Sequence, residues 1–441
     1  MAHDRLEQSL KATLTDKAKA GTLKGTENVI IGVLPAQAGH GPRYLLAGEN
    51  DRPFLRMNAN AYLGMGLRHE IIEAEEAAIR TFGAGPGAVR FISGTYLPHV
   101  ELEHRLAAFH RRDASMIFSS AYATVMGVLP PLITDETIVL SDELNHNCII
   151  NAIRLAGPGE KAVYRHLVID ELEQRLNEAA GRFKRAIIVT DGIFSMRGDH
   201  APLDQIADVA RRYDDRFSEN VLLVVDDSHG VGAFGTTGRG TEEHTSAKGI
   251  DLLVATLGKA IGVNGGYVVA SQTLVDYLRE TSPYYIYSNP ITPGEAAAAL
   301  QALDLLDSQD GLALLQHLQN MTKRFRDGLI RLGFEIVEGV HPVVSLMTRD
   351  TARTNAVVAH LRSNGILATG LAFPVVPKGD EEVRFQISAD HTEVDIDHAL
   401  DILAGLGSID AESGTVVVRV SIWPWRNTAT VSSVPGSSSS R

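Results

Sequence analysis

The sequence predicts an α/β protein with a large, mainly parallel β-sheet and a smaller α+β domain on its C-terminal side. Short apolar runs alternate with amphipathic stretches through much of the chain, which is typical of successive βα units. These runs are apolar at every position, as expected for strands that are covered on both faces. After residue 293 the pattern changes to a long helical stretch followed by short mixed elements, which indicates a second domain.

The predicted elements of the first part follow in chain order. Residues 4–25 have the pattern of a polar helix, whereas residues 26–56 form a mixed arm with no clear period. Helices are predicted over 68–82 and 97–110, on either side of a Gly-rich loop at 83–95. Strands are predicted at 115–118, 137–140, 186–189, 221–225 and 252–255, with amphipathic helices at 168–180 and 203–213.

The C-terminal part begins after an aromatic and Pro-rich segment at 281–293. One long helical stretch is predicted over 294–332, followed by short strands and helices up to residue 406. The tail contains an apolar stretch at 415–425, predicted to be an edge strand or a contact with a partner subunit, and a Ser-rich, disordered end at 431–441. The predicted division is an N-terminal helix and arm (1–57), a large domain (58–293), a small α+β domain (294–407) and a tail (408–441).

Composition limits the classes of function. The formal net charge of −13 argues against a nucleic-acid partner, which would require a basic face. No apolar stretch approaches the roughly 20 residues that span a bilayer, and the N-terminus lacks a signal pattern. Cys148 is the one cysteine, so no internal disulfide can form, and no clustered metal-ligand set accompanies it. We expect a cytoplasmic enzyme with no membrane contact and no metal site.

Two motifs at predicted strand ends point to the chemistry. The run from Val221 ends in Asp226 and is followed by His229, and the next apolar run is followed by Lys259. The carboxyl ends of parallel strands are where α/β proteins build their sites. A lysine amine can form a Schiff base with an aldehyde cofactor, and a carboxylate can keep a pyridinium nitrogen protonated. The arrangement therefore favours pyridoxal 5′-phosphate (PLP) chemistry, with Lys259 as the Schiff-base residue and Asp226 at the ring nitrogen.

A set of sequence segments, in a fixed order, resembles one family. The segments are 58–64, 89–95, 118–122, 141–146, 190–196, 225–229, 256–259, 287–289 and 373–379. They are similar to segments of the α-oxoamine synthases, fold-type I PLP enzymes with the aspartate aminotransferase-like fold. The segments at 190–196 and 373–379 most resemble the glycine C-acetyltransferase (2-amino-3-ketobutyrate CoA ligase) branch.

The resemblance implies a catalytic role for four residues. Lys259 would hold the cofactor and remove the Cα proton of the substrate. His146 would stack on the cofactor ring and polarise the incoming acyl carbonyl. Asp226 would hold the pyridinium nitrogen, and His229 would donate to the phenolic oxygen of the ring.

The resemblance also implies how the cofactor phosphate is bound. The backbone N–H groups of Ala121 and Tyr122 would bind it at a helix start, where the helix dipole favours an anion. The hydroxyl of Thr256 would add a further donor. Ser288 and Asn289 resemble residues that reach the phosphate from a neighbouring subunit, which implies a homodimer with shared active sites.

The implied substrates are an amino acid and an acyl-CoA. Asn60 and Arg384 would bind the amino acid carboxylate, because a planar guanidinium suits a bidentate carboxylate. Ser195 would support either His146 or this carboxylate. The implied reaction condenses glycine or a larger α-amino acid with the acyl-CoA and releases CoA, usually with CO2, to give an α-amino ketone.

Two other interpretations remain open at this point. An aminotransferase of the same fold would need no thioester, but aminotransferases typically stack an aromatic ring where this chain has His146. A non-catalytic subunit or regulator of the same fold is a further alternative. The presence of Lys259 and the short, acidic N-terminal segment, with no room for a DNA-binding domain, argue against it.

Overall fold

The computed structural model describes residues 4–19, 22–23, 27–373, 375–406, 408–409 and 416–417. The strands are β1 (Ile30–Leu34), β2 (Arg43–Leu46), β3 (Pro53–Arg56), β4 (Ala114–Phe118), β5 (Thr137–Asp142), β6 (Glu160–Tyr164), β7 (Arg185–Asp191), β8 (Val221–Asp226), β9 (Leu252–Thr256), β10 (Gly266–Ala270), β11 (Val343–Met347), β12 (Ile366–Leu367), β13 (Thr369–Leu371), β14 (Glu382–Gln386), β15 (Ser408–Ile409) and β16 (Val416–Val417). The helices are α1 (Asp4–Lys19), α2 (His69–Phe82), α3 (Leu97–His110), α4 (Ala121–Leu132), α5 (Asn147–Ala156), α6 (Ile169–Ala179), α7 (Leu203–Tyr213), α8 (Thr241–Thr245), α9 (Gln272–Thr281), α10 (Pro283–Ile286), α11 (Pro293–Leu306), α12 (Gln309–Arg331), α13 (Thr351–Ser363) and α14 (Glu393–Ala404).

A seven-stranded sheet with the order β4-β10-β9-β8-β7-β5-β6 forms the centre of the molecule. Neighbouring strands among β5 to β9 run parallel, whereas β10 runs antiparallel to both β4 and β9. Strands β4, β5 and β10 are buried along their whole length, since helices cover both faces of the sheet. The prediction of a mainly parallel α/β fold is therefore confirmed. The carboxyl ends of β5, β7, β8 and β9 meet at one edge, where the site is found.

Two smaller sheets flank this centre. Strands β11, β14 and β13 form an antiparallel sheet, and β14 carries Arg384 toward the edge of the large sheet. The N-terminal arm folds as the antiparallel strands β1, β2 and β3, and β12 joins this arm by pairing parallel to β3. Residues of the N-terminal arm and of the C-terminal part of the chain thus form one small sheet.

The structure differs from the sequence prediction in several elements. The stretch at 294–332 is two helices: α11 ends at Leu306, and Ser308 caps the start of α12 by accepting the N–H of Gly311 at 3.2 Å. The turn is tight: a Cβ on Gly311 would lie 2.1 Å from the carbonyl oxygen of Leu305. The arm at 26–56, which showed no period, contains three strands, and β6 and β10 were not predicted.

The remaining tail predictions lie outside the described residues, apart from two short pieces. Residues 408–409 pair antiparallel with 416–417, and nothing else of the apolar stretch at 415–425 or of the end at 431–441 is described. In the part of the chain that the structure covers, no helix has the length and apolar character needed to cross a membrane.

Candidate active site

The predicted catalytic residues meet at the edge where the parallel strands end. Asp226 is the last residue of β8, Lys259 follows the end of β9, and His146 follows the end of β5. One cavity at this edge is lined by Ala121, Tyr122, His146, Cys148, Asp191, Ile193, Ser195, Asp226, Ser228, His229 and Lys259. The structure therefore brings all four predicted catalytic residues together, with Ala121, Tyr122 and Ser195.

Lys259 has an environment suited to a nucleophilic amine. Burial disfavours its charged form and lowers its pKa to about 8, although the carboxylates of Asp226 and Asp191 act in the opposite direction. The nearby guanidinium of Arg384 lowers the pKa further. An amine with such a pKa is partly neutral near physiological pH, which is the form that attacks a carbonyl or accepts a proton.

Two carboxylates stand side by side beneath the cavity. Asp191 ends β7 directly opposite Asp226 in the parallel register, so the two side chains are neighbours. Burial, followed by the charge of Asp226, raises the pKa of Asp191 well above its usual range. Asp226 accepts the N–H of Ser228 through Oδ1 at 3.1 Å, which leaves Oδ2 facing Cys148 Sγ at 3.8 Å.

Asp191 is a site residue that the sequence reasoning did not assign. Its carboxylate accepts the backbone N–H of His146 at 2.9 Å, and its own N–H donates to Asn145 Oδ1 at 2.9 Å. Asp191 thereby fixes the start of the loop that presents the His146 ring. The available signal was its position at a strand end within segment 190–196, which matches the position of Asp226 on β8.

His146 sits at the N-terminus of α5 with one side of its ring open to solvent. Partial desolvation lowers the pKa of His146, with Asp226 opposing this effect and Lys259 adding to it. The ring of Tyr122 stands edge-on to it, with centroids 6.5 Å apart. His146 Nδ1 lies 3.3 Å from the backbone nitrogen of Cys148 and 2.9 Å from its Sγ.

His229 lies on the opposite wall, buried among other rings. Its Nδ1 is 2.7 Å from the hydroxyl of Tyr62, and its backbone carbonyl accepts from His341 Nε2 at 2.9 Å. Burial, followed by the charge of Lys259, lowers the pKa of His229 well below its usual range. Tyr62 belongs to segment 58–64 but had been given no role. His341 could not have been found, because it is 112 residues away from its partner in the chain.

The cavity offers donors that fit a phosphate group. Helix α4 begins at Ala121, and its cap Ser120 accepts from Ala123 N, so the first two N–H groups of the helix lack an acceptor within the helix. Strand β10 crosses so closely that a Cβ on Gly266 would lie 2.3 Å from Ala121 N. Ser228 Oγ is buried and has no partner among the described residues, so it is a free donor at the same cavity.

The remaining cofactor predictions are placed differently. Thr256 Oγ1 donates to the carbonyl of Gly265 at 3.2 Å and accepts from Gly258 N at 3.0 Å, and Thr256 is not among the residues that line the cavity. Ser288 and Asn289 also lie outside this lining, in a surface segment beside Tyr287, which is 79% exposed. Their roles therefore stay predictions.

A third side chain lies between the two predicted carboxylate-binding residues. In one orientation of its amide Gln386 Nε2 donates to Asn60 Oδ1 at 3.1 Å, and in the opposite orientation the amide oxygen accepts instead from Arg384 Nε and Nη2, each at 3.1 Å. Arg384 Nη1 donates to the carbonyl of Ser195 at 2.8 Å. Among the described residues no carboxylate forms a salt bridge with Arg384, so the guanidinium is available to an anionic ligand.

A larger cleft, of about 890 Å³, opens elsewhere between α12 and the loop after β8, and it is lined by Phe234, His244 and Arg326 among others. Neither Lys259 nor the paired carboxylates line it. The smaller cavity, with its amine, carboxylates and phosphate donors, is the one that fits PLP.

Comparison with known proteins agrees with this chemistry. The family model described as "Aminotransferase class I and II" matches residues 52–403. An 8-amino-7-oxononanoate synthase from Bacillus velezensis is 37% identical over 367 residues, which is 82% of this chain and 90% of the relative. The mitochondrial 2-amino-3-ketobutyrate coenzyme A ligase from Homo sapiens is 37% identical over 407 residues, covering 92% and 93% of the two chains.

Solved structures agree on the fold. A serine palmitoyltransferase from Sphingomonas wittichii matches with a TM-score of 0.80 at 25% identity, covering 92% of this chain and 97% of that one. One from S. paucimobilis, solved with bound PLP, has a TM-score of 0.80 at 24% identity and covers 91% and 96% of the two chains. The 8-amino-7-oxononanoate synthase and the 2-amino-3-ketobutyrate coenzyme A ligase are equally similar to this chain, at 37% identity each. Sequence identity therefore does not distinguish the glycine C-acetyltransferase branch from the other. The aminotransferase alternative is not favoured, and the chain belongs to the α-oxoamine synthases, PLP-dependent acyltransferases of the aminotransferase class I and II family.

Proposed function

We propose that this protein condenses an α-amino acid, glycine or a larger one, with an acyl-CoA and releases free CoA. One observation carries the proposal: Lys259, Asp226 and His146 line one cavity, in a chain 37% identical to two kinds of α-oxoamine synthase. Arg384, which acts electrostatically on Lys259, adds a cation for the amino acid carboxylate.

PLP, when bound, supplies an electron sink for the bond changes at the substrate Cα. Lys259 would hold it through a carbon–nitrogen link, and Asp226 would pair with the ring nitrogen. The N–H groups of Ala121 and Tyr122 would bind the phosphate at the start of α4, and the unpartnered hydroxyl of Ser228 would add a donor. These assignments use groups that line one cavity.

The amino acid would enter with its carboxylate toward Arg384. The guanidinium presents a planar set of donors, and Gln386 and Asn60 complete a polar wall beside it. This leaves the Cα of the substrate near Lys259. Once its amine is free, a pKa of about 8 lets Lys259 remove the Cα proton near neutral pH.

The acyl-CoA would approach from the open side, where His146 is exposed. A bond forms between Cα and the acyl carbon while the carbon–sulfur bond of the thioester breaks, and CoA leaves as its thiol. A hydrogen bond from the His146 ring would stabilise negative charge on the acyl oxygen during this step. Loss of CO2 from the β-keto acid then gives an α-amino ketone, and retention of the carboxylate gives a 2-amino-3-keto acid.

We further propose a homodimer in which Ser288 and Asn289 reach the partner's phosphate site. Both lie outside the cavity of their own subunit, in a surface segment with an almost fully exposed Tyr287. An exposed aromatic side chain in such a segment is suited to an interface.

We also propose a cytoplasmic location. We further propose domain boundaries at 57/58, 293/294 and 407/408.

The test is a substrate matrix on purified protein loaded with PLP. Free thiol release is followed while the common amino acids are crossed with acetyl-, succinyl-, malonyl- and long-chain acyl-CoA. We expect thiol release that requires one amino acid and one acyl-CoA together, and this pair identifies the substrates. Release without any amino acid would indicate simple thioester hydrolysis instead.

A second arm tests the aminotransferase alternative. The same protein is incubated with each amino acid and a keto acid, in the absence of any thioester. Amino transfer at a rate that exceeds CoA release in every combination would overturn the proposed function.

A further inference from the structure

Cys148 occupies a position at the site that the proposed chemistry does not use. Its side chain is 2% exposed, and its Sγ lies 2.9 Å from His146 Nδ1 and 3.8 Å from Asp226 Oδ2. The thiol thus stands between the ring that faces the open side of the cavity and the carboxylate assigned to the cofactor nitrogen. Its backbone N–H also points at His146 Nδ1, at 3.3 Å.

The backbone contact favours one tautomer of His146. A backbone N–H can only donate, so in this contact His146 Nδ1 accepts through its lone pair. A neutral imidazole with a lone pair on Nδ1 carries its proton on Nε2. The thiol, with one hydrogen to give, reinforces this form when it donates to the same Nδ1, and the 2.9 Å separation is the shorter of its two polar contacts.

We propose that Cys148 is a positioning residue that holds His146 in its neutral Nε2–H form and fixes the plane of its ring. Two donors from one residue, the N–H and the S–H, converge on Nδ1 and leave Nε2–H as the one donor that the ring can offer. This inference rests on the proposed function only for its consequence, which is that Nε2–H is the group aimed at the acyl oxygen. The tautomer itself is independent of any substrate.

The geometry explains why protonation of His146 is opposed. A proton added at Nδ1 would face the N–H hydrogen of Cys148, so that hydrogen bond would be lost, and the thiol could no longer donate to the ring. The titratable groups around the ring come from five segments of the chain: Cys148 on α5, Asp191 ending β7, Asp226 and His229 at and after the end of β8, Lys259 after β9, and Tyr122 on α4. The carboxylate of Asp191 accepts the backbone N–H of His146, so this carboxylate does not compete for the ring nitrogen of His146.

The test compares Cys148→Ala with Cys148→Ser in the full chain. Alanine keeps the backbone donor and removes the thiol, whereas serine restores a hydroxyl donor at nearly the same place. Nitrogen NMR of ring-labelled histidine, with His146→Gln to assign the signal, reports the tautomer and the titration midpoint in protein prepared without PLP. Ile153→Val, at another buried position of α5, is the control for helix packing.

We expect the unchanged protein and Cys148→Ser to hold the Nε2–H form. Cys148→Ala should mix the two tautomers and raise the titration midpoint of His146 by about one pH unit, the size of one lost hydrogen bond. With PLP and substrates, CoA release by Cys148→Ala should slow about tenfold at an unchanged amino acid KM, with recovery in Cys148→Ser. A tautomer and midpoint in Cys148→Ala identical to those of the unchanged protein would overturn the proposal.

The outcomes separate this inference from the proposed function. The NMR measurement needs neither substrate nor activity, so failure to find any CoA-releasing pair leaves its result intact. If CoA release is found but the NMR result for Cys148→Ala matches that of Ile153→Val and the unchanged protein, the proposed function stands and the positioning role of Cys148 fails.

Discussion

Two histidines close to the site, the buried His229 and the partly buried His166, have opposite charge preferences. Burial lowers the pKa of His229 well below its usual range, and its neighbours Lys259 and Arg384 strengthen the effect because they are cations. Burial also opposes the charged form of His166, but hydrogen bonds to Asp142 and Asp199 overcome it and raise its pKa to about 9. The sign of the shift is therefore set by the charge of the neighbours and not by burial alone.

The difference in charge between His166 and His229 matches their different positions relative to the site. His166 bridges Asp142 Oδ1 at 3.0 Å and Asp199 Oδ2 at 3.3 Å, so a charged ring pins the loop at 194–199 that carries Ser195. His229 instead stays neutral and contacts Tyr62, as expected for a group that exchanges hydrogen bonds with a ligand. One histidine supports the site, and the other belongs to it.

The largest effect is expected from Lys259→Ala, which removes one of the two cations that lower the pKa of His229. Loss of the amine should lower amino-acid-dependent CoA release by at least about 10³-fold, because no other group in the cavity can form the covalent link. Borohydride reduction of the unchanged, PLP-loaded protein followed by peptide mass analysis should locate the label on Lys259. In PLP-free protein, the labelling rate of this amine should rise with a midpoint near pH 8.

Lys248→Ala is the matched control, since Lys248 is exposed and lies in the same part of the chain. It should retain both activity and the reduced adduct. An adduct on a lysine other than Lys259 would show that the assignment of the covalent residue is wrong.

His166→Gln tests the other histidine of the comparison, which is held in its charged form by Asp142 and Asp199. Because the folded-state pKa of His166 is raised from about 6.5 to about 9, its stabilisation is complete below pH 6.5 and disappears as the pH rises through 9. This linkage corresponds to about 3 kcal/mol. Urea unfolding should therefore show that the free energy of unfolding falls more between pH 6 and pH 10 in the unchanged protein than in His166→Gln. Equal losses in the two proteins would show that His166 is not charged in the folded state.

Arg384→Lys tests the second cation near His229, because it keeps the positive charge and removes the planar set of donors. We expect the amino acid KM to rise about 30-fold, or about 2 kcal/mol, with the acyl-CoA KM little changed. Steady-state kinetics with each substrate varied in turn measures the two constants. An equal rise in both constants would contradict the assignment of Arg384 to the amino acid carboxylate.

The smallest effect is expected from Tyr62→Phe, which removes the 2.7 Å contact with His229. A loss of about 1 kcal/mol, or roughly fivefold in kcat, is typical of one neutral hydrogen bond. Tyr267→Phe is a close control, because Tyr267 makes a similar buried bond of 2.8 Å to His110, which does not line the cavity. Both variants should be destabilised to a similar extent in urea, and only Tyr62→Phe should be slower. Slowing of both variants would mean that Tyr62 acts through stability alone.

Much of the fold could be predicted from the sequence, since buried parallel strands leave strong local signals. The predicted strands at 186–189, 221–225 and 252–255 lie within β7, β8 and β9, and the predicted helix at 97–110 is α3. The break at Ser308 was missed, because apolar spacing continues across the turn between α11 and α12. Strand β10 was missed because its five residues lie close behind the loop of Lys259, where Gly residues obscure the pattern.

The sequence by itself determined the family, the cofactor and the order of the reactive residues, because each of these is encoded in short segments at strand ends. The tertiary structure alone decided which groups surround them. Asp191 stands beside Asp226 through strand register, His341 reaches His229 from a distant loop, and Gln386 lies between Asn60 and Arg384, which are far apart in the chain. The charge of a buried side chain depends on such neighbours in space, which is why the opposite pKa shifts of His166 and His229 could not be predicted from local sequence.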